Sequence, residues 1–227
     1  MVYMDCCSFS LDGSCRKSDY GADTGCGARR CETIDELSER QVKLEYALGD
    51  GESREALVKS LTKNQDEYVC QVEEADIIVL AKSTGVLEFT TGTYGQEICV
   101  DSIIKGNEWI DENETCWIWR SYGMEVMDGQ IVYRNVLNLM QDDGTYLVFL
   151  NSNQLNQYRT EKEFQTASEY FGYLPIEGAK VQPIKENQRN VLYKEWSEIP
   201  VFISSEKVAA AWNEIAEMLL NKFEPDA

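Results

Sequence analysis

Histidine is missing from all 227 residues. That absence removes Ser-His and Cys-His nucleophile pairs, histidine-based zinc hydrolases and imidazole proton shuttles. An enzyme built on this chain would work with carboxylates, Lys, Tyr or a thiol. Basic residues are also few: 21 Lys and Arg against 40 Asp and Glu leave a formal charge of −19. A surface of that sign repels phosphate backbones and anionic lipid, so a nucleic-acid partner is excluded from the expectation. No run is long and apolar enough to span a membrane. The opening Met-Val-Tyr-Met-Asp-Cys-Cys lacks the basic start and apolar stretch of a secretory leader, and the expectation is a chain whose leader has been removed, with a cytoplasmic location as the alternative.

Cysteine is absent from everything after Cys116, while five of the eight cysteines (Cys6, Cys7, Cys15, Cys26 and Cys31) fall in the first 31 positions. That stretch has little apolar content, too little to order itself without cross-links or a metal. Neither Cys-x2-Cys nor any histidine accompanies Cys15 and Cys26-x4-Cys31, so the spacing is a poor zinc signature and no metal or cofactor site is assigned. An even count favours disulfides, with Cys15, Cys26, Cys31, Cys70, Cys99 and Cys116 as candidates. Cys70 is the expected anchor of a bridge from the arm, and Cys99 with Cys116 the second pair. Cys6-Cys7 also suits the lipid-modified start of a bacterial lipoprotein, with ordinary disulfide partners or a tail as the alternative.

What is present is concentrated between residues 75 and 150. Residues 77–81 and 146–150 are apolar at nearly every position and rich in β-branched and aromatic side chains, the composition of strands buried on both faces. Between them the pattern alternates and is cut by Gly85, Gly92, Gly95, Gly106, Gly123, Gly129 and Gly144, the punctuation of short strands in a compact all-β unit. Strands are expected near 76–83, 85–91, 96–105, 115–121, 130–136 and 145–150.

The order Ala75-Asp-Ile-Ile-Val-Leu-Ala-Lys, then a strand closing in Ile103-Ile-Lys-Gly, then Gly144-Thr-Tyr-Leu-Val-Phe-Leu resembles the barrel of netrin-type domains and tissue inhibitors of metalloproteinases. It is similar, too, to surface proteins of Gram-positive bacteria that carry the same five-stranded OB barrel. The resemblance covers about a third of the chain and brings no catalytic motif. The inhibitors reach a protease zinc through an amino-terminal Cys-x-Cys, which this chain lacks. The resemblance implies an α+β fold: a small, mostly antiparallel OB-like barrel flanked by N-terminal helices and a C-terminal helix.

Around that core, residues 1–32 read as a Cys-rich irregular arm and 33–227 as a single domain. Thr33-x-x-Glu36 has the form of a capping box and opens a helix expected over 34–48, ended by Gly49-Asp50-Gly51. A second helix is expected over 53–63 and a last one over 206–223, where Val208, Ala211, Trp212, Ile215, Leu219 and Phe223 recur at helical spacing. A helical turn near 161–170 and strands near 179–184, 190–193 and 199–203 complete the reading.

Trp117, Trp119 and Tyr122, beside Arg120, form an aromatic cluster suited to stacking on a sugar ring or a peptide. Core packing is the competing explanation, since Trp117 and Trp119 alternate with Cys116 and Ile118 and one pair must face inwards. Asp111-Glu112-Asn113-Glu114 and Asp142-Asp143 lack calcium-loop spacing and read as solvated turns. The functional expectation is a non-enzymatic extracytoplasmic binding or interaction module with a protein or carbohydrate partner. The alternatives are a carboxylate-dependent carbohydrate-active enzyme and a cytosolic thiolate-metal protein.

Overall fold

The computed structural model describes residues 30–51, 54–90, 93–121, 123–127, 130–152, 161–177 and 180–223. In chain order the elements are β1 (Arg30–Thr33), α1 (Ile34–Ser38), β2 (Gln41–Leu44), α2 (Arg54–Lys63), α3 (Gln65–Glu73), β3 (Ile77–Thr90), β4 (Thr93–Lys105) and β5 (Thr115–Ser121). There follow β6 (Met124–Met127), β7 (Gln130–Tyr133), β8 (Thr145–Asn151), β9 (Glu163–Thr166), β10 (Tyr173–Pro175), β11 (Asn190–Leu192) between two 3₁₀ turns, and α4 (Glu206–Lys222). The fold is mixed α+β, with a large, mostly antiparallel sheet.

That sheet has seven strands in the order β1-β3-β4-β5-β9-β8-β10. Long β3 pairs with β4 throughout, with β8 over Ile77–Lys82 and with β1 over Val86–Phe89. It manages this by bending at register shifts, the largest between Ser83 and Leu87, where Gly85 takes φ +78°, a conformation open to glycine. The two fully apolar runs are each other's partners, from Ile77 opposite Leu150 to Ala81 opposite Tyr146. Every residue of both runs is buried, as their composition demands. β5 and β9 run parallel; the other pairings in this sheet are antiparallel.

A second, four-stranded sheet, β11-β2-β7-β6, draws on three distant parts of the chain. It carries its own core of Leu37, Val42, Tyr133, Trp196, Phe202 and neighbours, separate from the main core around β3, β8 and α4. Residues 135–141 run between the two: Leu137 and Met140 enter one core and Leu139 the other. Buried backbone of this kind needs partners. Gln96 binds both the N–H (3.1 Å) and the carbonyl (2.5 Å) of Met140, and Tyr173 donates to the Asn138 carbonyl. The Asn138 side chain, 1% exposed, donates to the Trp196 and Ile199 carbonyls and accepts from the Leu139 N–H and the Tyr193 hydroxyl.

Several helical expectations change. The Thr33/Glu36 capping box forms at 3.1 and 3.2 Å, yet its helix ends at Ser38 rather than near residue 48. Gln41-Val42-Lys43-Leu44 then alternates exposed and buried, a period of two that makes it the strand β2 between β7 and β11. Its partners are far away in sequence, so nothing local marks it as a strand. Residues 65–73, for which no helix is expected, form α3 and bury Val69 and Val72. The turn expected near 161–170 contains β9. The strand expected at 199–203 consists of isolated bridges at Val201 and Ile203, and 181–185 has no regular structure. The last helix matches closely: Ser205 caps Val208, and the predicted stripe is buried as far as Leu219. Residues 30–32, assigned to the arm, lie in β1; residues 1–29 lie outside the described residues.

Candidate functional site

Strand β5 sorts its side chains strictly by parity. Cys116 and Ile118 enter the main core, while Trp117 and Trp119 take the opposite face and stack with centroids 6.2 Å apart at 29°. The pair facing inwards is therefore the Cys/Ile pair. Trp119 lies over Gly95, its partner on β4, where an added Cβ would come within 2.9 Å of the indole. Glycine at that position lets the ring rest flat on the neighbouring strand. Both indoles are largely covered all the same, at 8% and 9% exposure.

Arg120, next in line, has the inward parity and is 5% exposed. Its guanidinium sits 5.4 Å from the centre of the Tyr173 ring, and Nη2 donates to the Glu169 carbonyl at 2.9 Å. Nη1 is buried with no hydrogen-bond partner among the described residues, and no carboxylate among them forms an ion pair with this arginine. Burial works against its charge, but the oxygens of Tyr173, Tyr94 and Tyr133 work for it and the net direction of its pKa is upward. Burial holds the Tyr133 and Tyr173 phenols well above the ordinary range, so they remain neutral. A buried guanidinium with one unmet donor and no counter-charge among the described residues is an unusual group in a folded protein.

Arg120 lines a cleft of about 280 Å³. Trp119 and Arg120 enter from the end of β5, Gln165 and Thr166 from β9, and Glu169 and Tyr170 from the loop after it. Tyr46 closes one side from the connection after β2, and Arg134 and Asn135 come from the residues after β7. Arg134 is ion-paired with Glu45, so its charge is matched. Glu169 is the only carboxylate on the lining among the described residues. Hydrolysis of a glycosidic bond needs two acids facing each other, and this cleft supplies one.

Of the cluster named from sequence, Trp119 and Arg120 meet in the cleft, Trp117 stacks behind Trp119 without lining it, and Tyr122 lies outside the described residues. Tyr46, Arg134, Gln165 and Tyr170 carried no local signal; they converge through long-range strand pairing. A larger cavity of about 390 Å³ lies beside α4, with Leu80, Leu147, Leu174, Trp212 and Leu220 on its wall. It is a gap between helix and sheet with no buried charged group, and its chemistry is weaker.

The pair expected from Cys99 and Cys116 does not form. Cys70, Cys99 and Cys116 are free. Cys116 faces Ile98 and Cys99 faces Thr115 across β4 and β5, so the two sulfurs point to opposite faces and cannot bridge. Cys70 is exposed on α3. Cys6, Cys7, Cys15 and Cys26 lie outside the described residues, and of Cys31 only the backbone, in β1, is described. Among the described residues no group of three His, Cys, Asp or Glu is placed to hold a metal ion, and no helix is long and apolar enough to cross a membrane. Set against known proteins, the chain matches no family model, no curated protein and no solved structure.

Proposed function

We propose that this chain is a non-enzymatic binding module built on an OB-type barrel, and that its ligand enters the Arg120 cleft. The observation that carries the reading is the buried, unpaired guanidinium at a cleft bordered by three aromatic rings. Support for the barrel comes from the pairings β3-β4-β5-β9-β8, which return to β3, with β5 and β9 parallel and the rest antiparallel. That order agrees with the resemblance to OB barrels drawn from residues 75–150. A protein or carbohydrate ligand fits better than nucleic acid, because the −19 charge opposes a polyanion. The Cys-rich first 31 residues support a location outside the cytoplasm; a free-thiol count on protein from an oxidising compartment tests that part, and eight free thiols there would remove it.

The binding reading is tested by titrating ¹⁵N-labelled protein with a panel of mono- and disaccharides and short peptides. At least one probe is expected to move the amide resonances of Gln165, Glu169 and Asn135, and Tyr46→Ala is expected to weaken it. A panel that leaves all three resonances in place would overturn the reading.

A further inference from the structure

We infer that residues 1–29 of this chain lie across the outer face of the main sheet and cover its paired tryptophans, an internal partner held at Glu88. The face follows from register. Across β1, β3, β4, β5 and β9 one row runs Cys31, Glu88, Gly95, Trp119, Gln165, and the row beside it holds Glu97, Trp117 and Glu163. These positions alternate with Ile98, Ile118 and Phe164, which enter the main core, and with Leu87 and Tyr94, which enter the second. Trp117 and Trp119 are buried all the same, yet they belong to neither core. Glu88 and Glu163 beside them are each 4% exposed. A carboxylate at that burial needs a partner. Neither is without one, though no ion pair between described residues reaches either. What meets this face therefore comes from outside the described residues.

Glu88 decides which segment that is. Residues 153–160 join β8 to β9 and stand at the Glu163 end, whereas Glu88 lies three strand spacings from β9, about 14 Å. Residues 91–92, in the turn that follows β3, are Thr and Gly and carry no charge. On its other side Glu88 has β1, with Cys31 directly opposite, and residues 1–29 lead straight into that strand. They bring cations to the edge of the face, Arg29 at the strand and the adjacent pair Arg16-Lys17 further back. The twelve residues from Lys17 to Arg29 reach about 40 Å when extended, ample to pass from β1 over Trp119 and Trp117. A segment with too little apolar content to build a core of its own gains order by lying on one already formed. The inference holds whatever the Arg120 cleft binds.

The experiment uses the full chain and two readouts. Lys17 is the only lysine in residues 1–29, so a zero-length carbodiimide cross-link followed by mass spectrometry reports where the segment lies. Lys17 is expected to join Glu88 or Glu97 within one chain, to an extent independent of protein concentration. Hydroxyl-radical footprinting then compares the wild type with the double variant Arg16→Glu, Lys17→Glu. Oxidation of Trp117 and Trp119 is expected to rise severalfold in the variant, while Trp196 and Trp212, buried in the two cores, stay unchanged as internal controls. A Lys17 link to neither carboxylate would overturn the inference. So would a link found only between chains, which would make the cover a second copy. Equal protection of Trp117 and Trp119 in both proteins would overturn it as well and assign the cover to residues 153–160. The cross-link needs no variant, so it decides the matter even if the double substitution alters folding.

Discussion

Replacing Arg120 with Met is the sharpest test of whether this residue serves the scaffold or a ligand. The substitution keeps a long unbranched side chain beside Tyr173 and the Glu169 carbonyl while removing the charge. Two lost contacts are set against one relieved penalty. The Glu169 carbonyl gives up a charged donor, costing about 1–3 kcal/mol if nothing replaces it. The stacking over Tyr173 contributes about 0.5–2 kcal/mol. Against these stands the penalty for holding a guanidinium out of water, several kcal/mol, which no carboxylate among the described residues offsets. Exchange of buried charges for apolar groups is neutral or stabilising by about 1–4 kcal/mol in other proteins. The opposing terms nearly cancel, so the variant is expected to lie within about 2 kcal/mol of the wild type. The assay is urea denaturation followed by tryptophan fluorescence and circular dichroism, with both probes required to coincide. A loss above about 3 kcal/mol, the range seen when a paired buried charge is broken, would make Arg120 a structural brace and refute the reasoning.

Asn138→Ala should be far more damaging, because it removes four buried hydrogen bonds at once; about 3–5 kcal/mol is expected by the same denaturation, and a loss under about 1 kcal/mol would show that the segment 135–141 repacks freely. Gly95→Ala should cost about 1–3 kcal/mol and tilt Trp119 off β4, read as a shift in its indole N–H resonance; an unmoved resonance would contradict the close approach. Thiol labelling of the native protein at pH 8 should modify exposed Cys70 quickly and Cys116 only on unfolding, since burial, with Glu114 and Glu97 nearby, pushes that thiol upward; labelling of Cys116 at the rate of Cys70 would count against the buried strand. Burial acts to raise the Asp50 carboxyl, but Arg189, bonded through both nitrogens at 2.9 and 2.8 Å, outweighs it and holds the group below its usual 3.8. A lowered folded value means stability present above the unfolded pKa and lost as pH falls through the folded one, so Asp50→Asn should flatten the acid limb of the stability curve below about pH 4; an unchanged limb would show that the pair carries no pH dependence.

The strand pair at the centre was legible from residues alone. Runs 77–81 and 146–150 have no polar position to spare, so they must be covered on both faces, and the structure pairs them with each other. The last helix was equally plain, because its stripe recurs for four turns and Ser205 supplies its cap. Local pattern failed where partners are remote. Gln41–Leu44 has too few residues to declare its period, and it is a strand because β7 and β11, from distant parts of the chain, accept its backbone. The candidate site divides the same way. Trp119 and Arg120 could be singled out as an aromatic and a cation side by side, but that the arginine is buried without a counter-charge depends on where Tyr173 and the Glu169 loop fall. Composition and period determine which residues must be hidden; only the tertiary structure decides what they are hidden against, because desolvation and charge pairing depend on neighbours that the order of the chain does not name.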